Sequence, residues 1–249
     1  MNIGFIIQAR MGSTRFPEKI LRPFHGNDTM IDIILNRLHQ ATNEKIIVAT
    51  TTRERDDVLA NHLIDKNELV YRGSENDVLD RFIQAAEAFD LEGIVRICSD
   101  NPFLDPNGVV ALIDKARNSK ADYIGFKING LPSIKTHFGF WGEYVTLEAL
   151  KKVAVSTKDS QAHEHVTIHV YSHPETFHCE WVDCPDFIQG RNDIRLTVDT
   201  QEDFSNTQRV YSDLVKTYPN FGLQEIVNYI DQHDELKSSM KRIIKQNAK

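Results

Sequence analysis

Three observations predict a parallel, doubly wound α/β fold for this chain. Short apolar runs rich in β-branched residues recur between turn residues, as buried parallel strands do. Between them lie segments whose apolar positions repeat at helical spacing. At 249 residues and 41% apolar composition, the chain is also long enough to close one substantial core. Alternation of the two kinds of segment implies parallel strands joined by right-handed crossovers.

The first strand is the run at residues 3–7, which breaks into a loop carrying Arg10, Arg15 and Lys19 around Gly12, Ser13 and Thr14. Asp28 or Thr29 then caps a helix with Met30, Ile31, Ile34, Leu35 and Leu38 on one face. KIIVATT (45–51) reads as the second strand, 53–63 as a helix and 69–71 as a short third strand. Ser74 is placed to cap a helix bearing Val78, Leu79, Phe82, Ile83 and Ala86. GIVRICSDNPFLDP (93–106) holds a fourth strand that leads into Asp100 and is stopped by Pro102. A helix over 109–116 and a strand over 122–126 follow.

The period then loosens. Residues 127–141, with Gly130, Pro132 and Gly139, read as a lid or substrate loop. A helix over 147–153 precedes two alternating segments, HVTIHVYS (165–172) and TFHCEWVDC (176–184), expected as strands of a smaller mixed region. DIRLTVDTQEDF returns to strand then helix, with Thr200 capping a helix from 201 to about 217, and two amphipathic helices over 224–230 and 236–244 close the chain. No repeat or linker interrupts it, so residues 1–249 read as one domain with an inserted subregion over about 127–190.

A net charge of −7 and a pI near 5.8 argue against a general nucleic-acid or membrane-surface binder, which needs a basic field. Cys98, Cys179 and Cys184 form no CxxC pair, so they imply neither a zinc ribbon nor a disulfide framework. No apolar run approaches the length of about 18 residues that a membrane span needs, and no leader pattern opens the sequence. The expectation is a soluble, cytoplasmic protein with reduced thiols. The basic tail KSSMKRIIKQNAK reads as a solvated helix end.

Chemistry is expected where strands end, because open α/β sheets bind ligands at the carboxyl edge. The small-residue loop lets backbone N–H groups approach phosphate oxygens, while its arginines offer planar forks and Lys19 a mobile charge. Asp100 and Asp199 each follow an apolar run, and two carboxylates facing a cationic loop suit Mg²⁺ with a nucleoside triphosphate. Strand-terminal Asp residues are also common helix caps. Neither GxxxxGK[ST] nor GxGxxG after a strand is present, which disfavours a P-loop kinase and a Rossmann dehydrogenase. His163, Glu164 and His165 form a compact cluster whose HxH spacing is a weak zinc signal. Phe138 and Trp141 are of a kind that stacks on sugars, although such residues more often pack a core.

IIQARMGSTRFPEKIL resembles the signature of the cytidylyltransferase superfamily, and in particular its spore coat polysaccharide biosynthesis branch. The blocks YRGSENDVLDRF, VRICSDNPFLDP, HEHVTIHVY and IRLTVDTQEDF resemble it in the same order. The resemblance implies a Rossmann-like three-layer α/β/α sandwich of the nucleotide-diphospho-sugar transferase type with a smaller mixed β insertion. It implies transfer of CMP from CTP to a sugar or sugar acid for surface glycan synthesis, with Mg²⁺ as cofactor and pyrophosphate released. Arg10, Lys19 and Asp100 match catalytic positions, with Asp100 and Asp199 as metal ligands. Gln8, Ala9, Met11, Gly12, Ser13 and Arg15 join Arg10 and Lys19 at the nucleotide, together with Arg72, Gly73, Ser74 and Asp77. Glu143 and His165 match the acceptor side, although THFGFWGEY departs from the pattern around Glu143. The resemblance also implies a homodimer face. Three other readings stay open: a sugar-1-phosphate nucleotidylyltransferase using another base, a nucleotide-sugar-dependent glycosyltransferase, and a non-catalytic sensor on the same fold. The glycosyltransferase is disfavoured because Asn101 and Pro102 follow Asp100, where a DxD pair is usual.

Overall fold

The first apolar run is buried on both sides. Phe5 and Ile7 lie in one core cluster and Ile6 in a second, the mark of a strand covered by helices above and below. Full burial of these three side chains contributes about 1.5–3 kcal/mol each. The structure, a computed structural model, describes residues 1–13 and 15–246. Thr14 of the first loop and residues 247–249 of the basic tail lie outside the described residues.

Strand β1 (Ile3–Gln8) enters the loop, which returns through β2 (Pro23–His25) and β3 (Asp28–Thr29) to helix α1 (Met30–Ala41). The alternation continues through β4 (Ile46–Thr51), α2 (Asp57–Asp65), β5 (Leu69–Gly73), α3 (Val78–Ala88), β6 (Gly93–Cys98), α4 (Pro106–Arg117) and β7 (Tyr123–Ile128). Then come β8 (Leu131–Pro132), β9 (Glu143–Thr146), α5 (Leu147–Ser156), α6 (Ser160–Glu164), α7 (Ile168–Ser172) and β10 (Cys179–Asp183). Helices α8 (Gln201–Thr217), α9 (Leu223–Asp231) and α10 (Asp234–Gln246) end the chain. The main sheet runs β10-β7-β9-β6-β1-β4-β5, with β8 beside β7, and β2 and β3 make a small second sheet. One core cluster packs α1, α2, α4 and the last three helices on one face; the other packs α3 and α5 to α7 on the opposite face. The three-layer α/β/α sandwich is therefore present. No helix among the described residues is long and apolar enough to cross a membrane.

Several local expectations are corrected. β9 runs antiparallel to both β6 and β7, so the sheet is mixed. The mixed region over 127–190 forms no sheet of its own, because β9 and β10 complete the main one. The segment 165–172, where alternation predicted a strand, is a turn over 165–167, with Val166 at φ 46°, followed by the short helix α7; Ala162, Val166 and Val170 are buried against the core. DIRLTV is extended but joins no ladder; Leu196 and Thr197 donate to the His137 carbonyl and Val198 to that of Asp100. The cap of α3 is Asp77, which accepts from the Asp80 amide, while Ser74 accepts from Asp77. Thr29 and Thr200 cap α1 and α8 as expected, each in a capping box with an Asp three residues on.

Candidate active site

β1 and β6 are parallel neighbours with Gln8 beside Cys98, so the loops that follow them open side by side at the carboxyl edge of the sheet. The first loop is pinned rather than solvated. Met11 and Phe16 are buried, the Met11 amide donates to Asp56 Oδ1 at 2.7 Å, and the Phe16 ring packs edge-on against Phe204. With its apolar residues inward, the loop turns its cations toward the crevice.

Three of its side chains meet partners more than 150 residues away in sequence. Arg10 lies 3.5 Å from Glu164, Arg15 lies 2.6 Å from Asp199, and Lys19 donates to the Val198 carbonyl. They close a cavity of about 340 Å³ that is also lined by Gln8, Ser13, Asp100, His165 and Asp199. A second cavity of about 330 Å³ opens beyond the same Asp100, His165 and Asp199, walled by residues 133–141. Two cavities thus meet at one pair of carboxylates. Burial raises the Asp100 pKa; Lys19 opposes this and Asp199 adds to it.

Asp199 is held from both sides, Oδ1 by Arg15 and Oδ2 by Arg195 at 2.8 Å. Arg195 is fully engaged: Nε and Nη2 fork onto Asp203 at 2.7 and 3.0 Å, and Nη1 donates to His137 Nδ1 at 2.7 Å. Burial, then the charge of Arg195, lowers the His137 pKa, so the ring is neutral with its proton on Nε2.

Not every expected residue reaches the crevice. Ala9, Met11 and Gly12 lie beneath it, contributing backbone and packing; the Gly12 Cα faces the Arg55 guanidinium, which a Cβ would meet at 2.6 Å. Arg72 is directed at the Thr51 and Arg53 carbonyls and at Asp57. The Gly73 carbonyl accepts from Thr52, and that of Ser74 from Arg81. Asp77 caps α3 and binds His163 at 2.8 Å. Glu143, expected at the acceptor, is only 1% exposed and is enclosed by Arg96, Tyr123 and Thr167, so it lines neither cavity. Phe138 and Trp141 do line the second cavity, yet the Trp141 face stacks on Phe126 at 4.7 Å.

Sequence reasoning missed Arg96, Arg195 and Asp203, and saw Glu164 only as part of a weak zinc signal, not as the partner of Arg10. For the two arginines a signal was present, since each is a lone charge within an otherwise apolar run, IVRIC and IRLTV. No group of three or more His, Cys, Asp or Glu side chains among the described residues is arranged to hold a metal. A cation-walled cavity with two carboxylates at its mouth suits a polyanion carried with a divalent ion, whose remaining positions phosphate and water fill.

Comparison with known proteins gives the family and the fold. A family model described as cytidylyltransferase matches residues 4–247. The spore coat polysaccharide biosynthesis protein SpsF of Bacillus subtilis (strain 168) is 32% identical over 240 residues, 94% of this chain and 96% of that one. A 3-deoxy-manno-octulosonate cytidylyltransferase of Trichlorobacter lovleyi is 31% identical over 133 residues, 53% of this chain and 50% of its own. The solved structure of a cytidylyltransferase from Leptospira borgpetersenii superposes with a TM-score of 0.80 at 26% identity, covering 95% of this chain and 96% of that one. Matched over nearly its whole length in sequence and in fold, the chain belongs to the cytidylyltransferase family.

Proposed function

We propose that this enzyme transfers CMP from CTP to a hydroxyl of a sugar or sugar acid, releasing pyrophosphate, and that the product feeds synthesis of a surface polysaccharide. The observation that carries the reading is the meeting of two cavities at Asp100 and Asp199, one walled by Arg10, Arg15 and Lys19 and the other by residues 133–141. The names of the relatives support it: polysaccharide biosynthesis in one, 3-deoxy-manno-octulosonate as the sugar acid in another.

The acceptor hydroxyl attacks the α-phosphorus in line as the bond to the β-phosphate breaks. Such a reaction asks little covalent work of the protein, so positioning and charge neutralisation dominate. Arg10 and Arg15 grip phosphate oxygens through their forks, and Lys19 offsets the charge that gathers on departing pyrophosphate. Ser13 and the loop amides support the triphosphate from beneath. Asp100 and Asp199 fit a divalent ion that takes two carboxylates, and the charge of Asp199 adding to the upward shift at Asp100 supports that pairing. Bound there, Mg²⁺ would neutralise the phosphates and polarise the α-phosphoryl group. Residues 1–249 act as a single nucleotidyltransferase domain in this reading, with 127–190 shaping the acceptor side. The reaction belongs in the cytoplasm, where nucleoside triphosphates are made.

Thermal unfolding with Mg²⁺ and each of CTP, UTP, GTP, ATP and dTTP tests the base. Ligand at about a hundred times its Kd adds roughly 2.7 kcal/mol, a rise of several degrees at about 2–4 °C per kcal/mol. A shift confined to CTP, followed by pyrophosphate release with sugar acids, is the expected result. A shift with another triphosphate alone would replace the base assignment.

A further inference from the structure

Arg96 sits near the middle of β6, on the sheet face shared by Ile94 and Cys98, and lines the cavity walled by Arg10, Arg15 and Lys19. It is only 7% exposed. A buried guanidinium is costly, and an aliphatic residue at a central strand position is the cheaper way to pack a sheet.

Of the buried arginines Arg37, Arg81, Arg96 and Arg195, Arg81 also has unpartnered nitrogens but lines neither cavity; Arg96 lines one, and its pairing differs from that of Arg195. Arg195 engages all three of its nitrogens. Arg96 engages one: Nη1 donates to Glu143 Oε2 at 2.7 Å and to Thr167 Oγ1 at 3.3 Å. Its Nε is buried with no partner among the described residues, and no described residue accepts from Nη2. A guanidinium carries five N–H donors; the two on Nη2 meet no described acceptor, while the Nε donor is unmatched but closed off from the cavity.

The clamp itself is rigid. Glu143 Oε1 accepts from Tyr123 at 2.6 Å and Oε2 from Thr167 at 2.9 Å. Burial, then the charge of Glu143, holds the Tyr123 pKa well above its ordinary value, so the phenol stays a donor. The arrangement fixes one corner of a planar cation and leaves its Nη2 without a described acceptor beside a cavity.

We propose that Arg96 is a specificity-determining residue that donates from this Nη2 to an anionic oxygen, carboxylate or phosphoryl, of the molecule bound in the cavity. The assignment rests on the reading that the cavity binds substrate. The oxygen belongs either to the acceptor or to the nucleotide, and the experiment separates the two.

The purified full chain is compared with E143Q, which keeps the Arg96 charge, and with R96Q/E143Q, which removes both charges and leaves no unpaired buried ion. Affinities for Mg·CTP, inorganic pyrophosphate and gluconate are measured by titration calorimetry, with melting curves as the check of folding. E143Q, which keeps the Arg96 charge and fork, should retain more of the wild-type affinity than the double variant, which should lose about 10- to 100-fold for one class of probe, the range of a charge-assisted hydrogen bond to a buried partner. Loss for CTP and pyrophosphate assigns the oxygen to the nucleotide; loss for gluconate assigns it to the acceptor. Where the double variant does not melt cooperatively, R96K takes its place, keeping the charge but losing the planar fork, with about a tenfold loss expected. Equal affinities in wild type and the double variant would overturn the proposal. So would an equal loss in E143Q, since the pair would then act only as structure, and so would a wild type that binds none of the probes. Binding of pyrophosphate or gluconate that depends on Arg96, without binding of CTP, would uphold the assignment and sink the cytidylyltransferase reading of the site.

Discussion

Arg15 Nη2 lies 2.6 Å from Oδ1 of Asp199, joining the first loop to a residue 184 positions away. Because Arg195 holds the other oxygen, Asp199 is gripped between two arginines, and a polyanion entering the cavity competes with it for Arg15. Arg15 is about half exposed, so its grip is screened and easily exchanged. Asp199→Asn is predicted to lower kcat by about 10²–10³-fold, as expected for loss of a charge-organising group, whereas Arg15→Gln should mainly raise the KM for CTP, by about tenfold. Initial rates of pyrophosphate release against CTP and Mg²⁺ separate the two. Near-wild-type kcat for Asp199→Asn at saturating Mg²⁺ would remove the metal assignment.

The Arg195 and Asp203 side chains are each 1% exposed. Breaking such a pair from one side leaves an uncompensated buried charge, so Asp203→Asn is predicted to cost about 3–5 kcal/mol, a fall in Tm on the order of 10 °C. Burial works to raise the Asp203 pKa and is outweighed by Arg195 and Thr200, so the value lies below the ordinary carboxylate range. A lowered folded pKa stabilises at pH above the unfolded value and loses that contribution as pH falls through the folded one. The gap in stability between wild type and Asp203→Asn should therefore be full at neutral pH and narrow below about pH 4. Urea melts across that range measure it; a gap that widens with acid would contradict the pairing.

The chain up to residue 126 is legible because its strands and helices are set by local period and caps: KIIVATT, the Thr29 box and the buried stripe of α3 each announce themselves within a few residues. The cations of the first loop and the two aspartates are legible for a similar reason, since each follows an apolar run. What was not legible depends on distant partners. Glu143 looks like a loop acid until β9 inserts between β6 and β7 and delivers it to Arg96. IRLTV has the composition of a strand, yet Asp100 and His137 offer it only scattered carbonyls in place of a continuous edge. The segment 165–172 alternates in sequence, but a turn at 165–167 breaks it and the core takes up Val166 and Val170 from either side of that turn.

His163 bridges the α3 cap to the turn before α6, with Nδ1 2.8 Å from Asp77 Oδ2 and Nε2 3.1 Å from the Thr157 carbonyl. Both partners are acceptors, so the geometry suits the doubly protonated ring. Burial opposes the charge, but the bonds to Thr157 and Asp77 outweigh it and the pKa is raised, with Lys158 acting slightly the other way. A raised folded pKa stabilises fully below the unfolded value, near 6.5, and the contribution fades as pH climbs through the folded value. His163→Gln is therefore predicted to lower Tm by a few degrees at pH 6 and to differ much less at pH 9. The neighbouring Glu164 carries the contact to Arg10, so the variant should also alter the KM for CTP more at pH 6 than at pH 9. A pH-independent difference in Tm would refute the charged bridge.

The stretch 127–141, expected as a lid, is held at its base as a wall. The Phe140 carbonyl accepts from Asp105 at 2.7 Å, and the His137 carbonyl accepts from Leu196 and Thr197. Phe138, Phe140 and Trp141 are buried, and Trp141 lies so close over the start of α4 that a Cβ on Gly108 would fall 2.3 Å from its ring. Only the outer turn, with Leu131 53% exposed, stands clear of the core. Opening the base would expose three aromatic side chains at about 1.5–3 kcal/mol each or more, too much for a routine substrate gate. Hydrogen exchange in the unliganded protein is predicted to be slow at the Asp105 and Leu196 amides and fast at residues 129–132, with CTP slowing only the latter. Trp141→Ala should cost about 3–5 kcal/mol and bring fast exchange to the base. Rapid exchange at Asp105 and Leu196 in the free wild type, suppressed by ligand, would restore the lid.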